Sequence, residues 1–123
     1  MSVLTETNHA GGFLVWEVLR DYTRDTVTIA SGAGKLEAGT VLGKLSSGGK
    51  YTPLSPGASN GSQTAAGILW ASVDATSEDA TGVILLRGPA IVNRSEVLFA
   101  STATEAQVTS ASTALAALGI LLR

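Results

Sequence analysis

Few side chains in this chain have the types and spacing that chemistry needs. His9 is the sole histidine and there is no cysteine. It falls in a short N-terminal stretch that reads as an arm, where a Ser-His-Asp arrangement would lack the rigid support that activates a nucleophile. His9 is therefore expected to face solvent or a partner. With one histidine and no thiol, a transition-metal site would need carboxylates almost alone. Asp74, Glu78 and Asp79 lie close together but lack the alternating ligand spacing and pivot glycine of a calcium loop. They read as a solvated turn. Gly32-Ala33-Gly34-Lys35 resembles the end of a phosphate-binding loop, but Ile29 stands where its first glycine belongs and Leu36 where the Mg²⁺-holding Ser or Thr belongs. A glycine turn between strands is the reading left. None of the ten carboxylates is singled out as half of an acid–base pair. Trp16 and Trp70 could line a pocket, yet aromatics are so scarce that both read as core anchors. No catalytic residue, metal ligand or cofactor is assigned.

The elements that would position any site must come from 123 residues, 45% hydrophobic and only 15% charged, with 14 glycines and a formal net charge of −2. Area scaling gives roughly 6,000 Å² folded against about 18,000 Å² unfolded, enough for one modest core. Eight Lys and Arg scattered among ten acids make no phosphate-tracking stripe, so a nucleic-acid partner is not expected. The absence of cysteine excludes a disulfide scaffold. Glu6 precedes any positive charge and no stretch has the length of a signal peptide. The longest apolar run, Ala114–Leu122, falls short of the roughly 20 residues that span a bilayer. The expectation is a soluble, cytoplasmically made protein without a membrane partner.

Three regions separate by composition. Residues 1–12 are mostly small or polar and end in Gly11-Gly12, a flexible joint for an extended arm. Residues 13 to about 100 read as β structure. Strands are expected at Phe13–Val18, Thr26–Ala30, Val41–Leu45, Lys50–Leu54, Ala66–Ala71 and Val83–Leu86, the last apolar on both faces like a central strand. Ser46-Ser47-Gly48-Gly49 is the strongest hairpin signal, and Pro53 and Pro56 make the returning strand an edge or cut it short. Asn60-Gly61 predicts a tight turn, and Asp74–Ala80 a polar one. Ala90–Asn93 and Glu96–Phe99 are expected to pair across Arg94-Ser95. Short strands with glycine-rich turns argue for a small barrel or sandwich. The period then changes. Val108, Ala111, Leu115 and Leu118 predict a helix over about 103–118, with Thr102 and Glu105 as a capping box and Gly119 as its left-handed end. So marginal a helix must dock its narrow apolar stripe, and the apolar tail Ile120–Arg123 needs a partner surface.

The order of these motifs resembles a known family. Leu4-Thr5-Glu6, His9-Ala10-Gly11, Phe13-Leu14-Val15 and Glu17 are similar to the opening of the lambda-type phage head decoration proteins. Thr26–Gly32 follows, and the run AGTVLGK, GKYTPL and NGSQTAAGIL is similar to the body of that family. The terminal ALAALGILLR resembles the ending of its longer members. The likeness covers almost the whole chain, with Arg20–Asp25 and Arg94–Thr104 matching less closely.

The resemblance implies a mainly β body of the β-clip type (residues 13–123) with one C-terminal helix. It implies a non-enzymatic decoration, or cement, protein that binds the expanded head as homotrimers at three-fold and quasi-three-fold sites and resists the pressure of packaged DNA. The partner would be the major capsid protein and the location the outer surface of the virion head, after assembly in the host cytoplasm. The capsid-binding arm would be Val3, Leu4, Thr5, Glu6, Asn8, His9 and Ala10, hinged at Gly11 and Gly12. Thr7 and Asn8 depart from the family's opening. Two other classes stay open at this point: a small β-barrel enzyme or ligand-binding oligomer with a phosphate-binding nest, and a tail or head-completion part of a phage. A thermal shift with nucleotides would mark the first, and a low copy number per particle the second.

Overall fold

The computed structural model describes residues 12–17, 23–55, 58–99 and 104–123. Its β strands are β1 (Leu14–Glu17), β2 (Arg24–Ile29), β3 (Gly34–Leu36), β4 (Val41–Lys44), β5 (Tyr51–Pro53), β6 (Ala65–Leu69), β7 (Val73–Ala75), β8 (Ala80–Leu85), β9 (Ala90–Val92) and β10 (Ile120–Leu122). A 3-10 turn occupies Arg94–Glu96 and one helix, α1, runs Glu105–Ala117. The protein is mainly β, as its short apolar runs and glycine turns predict.

Five strands close into a barrel in the order β2-β5-β4-β6-β8. Closure removes the unpaired edges that a small open sheet would present. The Ser46–Gly49 turn joins β4 to β5 in an antiparallel hairpin, with Leu42 opposite Pro53 and Lys44 opposite Tyr51. Gly48 and Gly49 supply its positive φ values, +83° and +69°. Pro53 ends β5 after three residues, so the proline shortens the strand. The longest ladder is β2 on β8, antiparallel from Arg24 opposite Leu85 to Ile29 opposite Ala80.

Consecutive buried pairs explain why the barrel strands read as apolar on both faces. Ile29, Leu42, Tyr51, Leu69 and Ile84, one from each barrel strand, share an inner core with Ala75. Their neighbours Val41, Ile68 and Leu85 belong to a second core on the outside of the barrel. That second core also contains Phe13, Ala90, Val92, Val97, Ala111, Leu115 and Ile120. Because side chains alternate across a strand, Val41/Leu42, Ile68/Leu69 and Ile84/Leu85 each serve both cores.

The outer core is roofed by α1 and by a three-stranded sheet, β1-β9-β10. Thr104 caps α1: its Oγ1 accepts from Gln107 N–H at 3.2 Å, while Gln107 Oε1 accepts from Thr104 N–H at 2.9 Å. The capping box thus starts at Thr104 with Gln107, two residues later than the expected Thr102 with Glu105. Thr102 lies outside the described residues. The buried stripe of α1 is Ala111 and Leu115. At its end Gly119 takes φ +88°, and Gly88 N–H donates to Leu118 O at 2.8 Å and Ala90 N–H to Gly119 O at 3.0 Å. Carbonyls that a helix end leaves unpaired are therefore met by the loop entering β9. A Cβ on Gly119 would stand 3.1 Å from Gly88 Cα.

Several connections differ from the sequence expectation. Ala90–Val92 does not pair with Glu96–Phe99. β9 instead lies antiparallel to β1 and parallel to β10, while Leu98 bridges to Thr40. The apolar tail finds its partner surface here, as β10. The polar stretch after Val73 is only partly a turn, since β7 pairs antiparallel with β3, Lys35 opposite Asp74. Val83, expected to be buried on a central strand, is exposed.

A candidate interaction surface

Of the residues expected to contact a partner, Val3, Leu4, Thr5, Glu6, Asn8, His9, Ala10 and the hinge residue Gly11 lie outside the described residues. Gly12 is described, in an exposed turn that leads into buried Phe13. Phe13 belongs to the outer core. Its ring meets Trp70 edge-on at a centroid separation of 5.6 Å, and its carbonyl accepts from Asn93 N–H at 2.6 Å.

Strand β1 then breaks the alternation. Leu14 pairs with Val92 but Trp16 pairs with Ile91, so one residue, Val15, is extra. A bulge of this kind re-aims the side chains around it. Its consequence is that two successive apolar residues face outward, Val15 at 61% and Trp16 at 50% exposure. Trp16 is thus not the core anchor its type suggested. Register carries the apolar row across the sheet: Trp16 opposite Ile91, and Ile91 opposite Leu121, which is 43% exposed. Beyond Leu121 a shallow groove runs between β10 and α1, lined by Val108, Ser112, Ala116 and Leu122 with Arg94 at its border. No signal in the sequence separated Trp16 from Phe13, because both belong to one apolar run and only the bulge decides which is covered.

The inner side of β1 is tied to the barrel by polar contacts. Glu17 accepts from Thr23 Oγ1 at 2.6 Å and from Arg24 Nε at 3.2 Å. Arg24 Nη2 donates to the other carboxylate oxygen, completing a forked pair. The Arg24 guanidinium also lies 3.4 Å above the centre of the Trp70 ring. Planar guanidinium suits both contacts at once, which lysine would not. Trp70, the second expected core anchor, is half-buried against the outer core and holds this position. Among the described residues no buried side-chain nitrogen or oxygen lacks a hydrogen-bond partner. These contacts make the sheet with the apolar row a platform tied to the barrel.

Two of the three acidic residues considered as ligands, Asp74 and Asp79, are engaged locally. Asp74 accepts from the hydroxyl and N–H of Thr76, and these bonds hold its carboxyl below the ordinary range. Asp79 accepts from Ser31 N–H at 2.8 Å and pairs with Lys50 at 2.6 Å. Lys50 first, and Ser31 second, lower its pKa in turn. Among the described residues no three His, Cys, Asp or Glu side chains are grouped so as to hold a metal ion. Burial pushes the Tyr51 phenol up, with Asp25 adding to the effect and Arg87 opposing it. A phenol so placed stays neutral as a core residue. Gly32, at φ +88° in the turn between β2 and β3, and Gly34, at +85° where β3 begins, fill the role expected of that glycine turn. No described helix is long and apolar enough to cross a membrane.

The family model described as bacteriophage lambda head decoration protein D matches residues 3–120. A search of the curated proteins found no match.

Proposed function

Starting from the fact that this chain belongs to the bacteriophage lambda head decoration protein D family, we propose that it is a non-enzymatic capsid cement protein acting as a homotrimer on the expanded phage head. The observation that carries this reading is the extent of the match, from residue 3 to residue 120 of 123. In this reading residues 1–12 are the arm, and the major capsid protein is its partner on the outer surface of the head, reached after assembly in the host cytoplasm. Residues 13–123 are the body that carries the arm. Val3, Leu4, Thr5, Glu6, Asn8, His9 and Ala10 make the contact, and Gly11 and Gly12 let the arm leave the body at the angle the shell requires.

The physical logic follows from continuity and number. An extended segment adds to an exposed strand edge through backbone hydrogen bonds, with alternate side chains setting selectivity. Ordering it costs about 1–2 kcal/mol per residue in backbone entropy, so one arm binds weakly. In a trimer the second and third arms bind as intramolecular events, and avidity rises by about 10²- to 10⁴-fold. If the three seats are in register only on the expanded lattice, binding stabilises that lattice by mass action. The gain is about 2.7 kcal/mol per site at a free concentration 100 times the dissociation constant. The closed barrel supports the reading as a mount for the arm: it pairs its own strand edges, and the short β1-β9-β10 sheet, which begins where the arm ends in this reading, stays open at its edges.

Co-sedimentation with undecorated shells of the cognate phage, expanded and unexpanded in parallel, tests this. Saturable binding to expanded shells, near one copy per capsid subunit, is expected. Deleting Ser2–Gly12 should abolish it while leaving the circular dichroism spectrum of the body intact. Full-strength binding by the deletion variant would refute the arm mechanism, and no binding by the intact chain to either shell would refute decoration.

A further inference from the structure

We propose that the outer face of the β1-β9-β10 sheet, centred on Trp16 with Val15, Ile91 and Leu121, is a second contact with the major capsid protein, made by the body beside the seat of the arm. This rests on the decoration reading above and adds a surface to it. The face is apolar at its centre and built: the bulge at Val15 turns two large apolar residues outward, and the Glu17–Arg24–Trp70 contacts hold the strand beneath them. Trp and other aromatics in a fixed setting are the residues that most often anchor an interface.

Two observations select the shell over a second copy of this chain as the occupant. The first is size. With about 200 Å² for a whole tryptophan, the exposed parts of Val15, Trp16 and Leu121 amount to on the order of 300 Å². A stable protein–protein interface takes about 800 Å² from each partner. That apolar exposure is by itself well below what holds two copies together, and it suits a contact that adds to one already made elsewhere. The second is the tether. Ala10 and Trp16 are six positions apart, which at full extension span about 20 Å. Whatever surface grips the arm as far as Ala10 is thereby held within that distance of Trp16. A short link of this kind raises the effective concentration of the second contact to the millimolar range, so even a small apolar face adds to affinity.

The test compares the intact chain, Trp16→Ser and the Ser2–Gly12 deletion on expanded shells, with hydroxyl-radical footprinting of Trp16 read by mass spectrometry. Trp16→Ser should bind about tenfold more weakly and keep both the melting curve and the free-solution oligomeric state of the intact chain. Oxidation of Trp16 in the intact chain should fall on shell binding and be independent of its concentration when free. The footprint needs no variant to fold. Trp16 equally oxidised free and bound, while the intact chain binds, would overturn this inference and leave decoration standing. Protection that grows with concentration in the free protein would assign the face to a second copy and overturn it as well. An intact chain that binds no shell would overturn the decoration reading together with it.

Discussion

Replacing Leu115 with alanine should expose how the helix holds the sheet in place. Leu115 is fully buried in the outer core, with Ile68 of β6, Ile120 of β10 and Ala111 of its own helix. The substitution removes three carbons, worth about 0.8 kcal/mol each in transfer from water. The barrel beneath is closed and cannot follow the helix inward, so a residual cavity adds to that, at about 24 cal/mol per Å³. Together these give a loss of about 3–4 kcal/mol. With a urea dependence of about 2 kcal/mol per molar for a chain this size, the unfolding midpoint should drop by about 1.5–2 M with an unchanged slope. Equilibrium urea titration at one fixed protein concentration reads this directly, since an oligomer's midpoint moves with concentration. Ala117→Ser, on the exposed face of the same helix, is the control and should stay within about 0.5 kcal/mol. A Leu115→Ala loss below about 1 kcal/mol would mean that the helix is not seated on the barrel. The platform argument for Trp16, Ile91 and Leu121 would fall with it, because β10 follows that helix directly.

Two further outcomes follow from local contacts. Thr104→Ala removes the capping hydroxyl that Gln107 N–H donates to and should lower stability by about 1 kcal/mol, seen as reduced helical signal and melting temperature. The Asp79 carboxyl is held below its ordinary value of 3.8 by Lys50 and Ser31. Its contribution is present above that pH and is lost as the pH falls through the lowered value. Melting temperature measured from pH 5 downward should therefore fall less steeply in Asp79→Asn than in the parent. Equal slopes would show that the pair is solvated and contributes nothing.

Much of the body could be read without coordinates, and the reasons are local. The glycine pair at 48–49 permits one kind of turn, so the β4–β5 hairpin followed from the residues between its strands. Gly119 stands where a left-handed residue ends a helix, and the three-four spacing of Ala111 and Leu115 named the stripe that is buried. The double apolar pairs such as Ile84-Leu85 announced a strand covered on both sides, and two cores cover it. The start of the helix was less legible, since Thr102 with Glu105 and Thr104 with Gln107 both offer capping chemistry, and only the backbone path into the helix chooses between them.

What the sequence alone determined is the list of pieces: a mainly β body and a helix near its end. The order of its motifs also pointed to the decoration family that residues 3–120 match. What only the tertiary structure decided is who meets whom. β10 lies parallel to β9 across some thirty residues of chain, and β3 pairs with β7. Nothing within a strand of three residues specifies its partner. The same holds for Trp16, whose exposure depends on one extra residue in the β1–β9 register. Period and turn chemistry are properties of neighbours along the chain, whereas register is set by the whole core closing at once, and a shift of one residue turns a side chain from core to solvent.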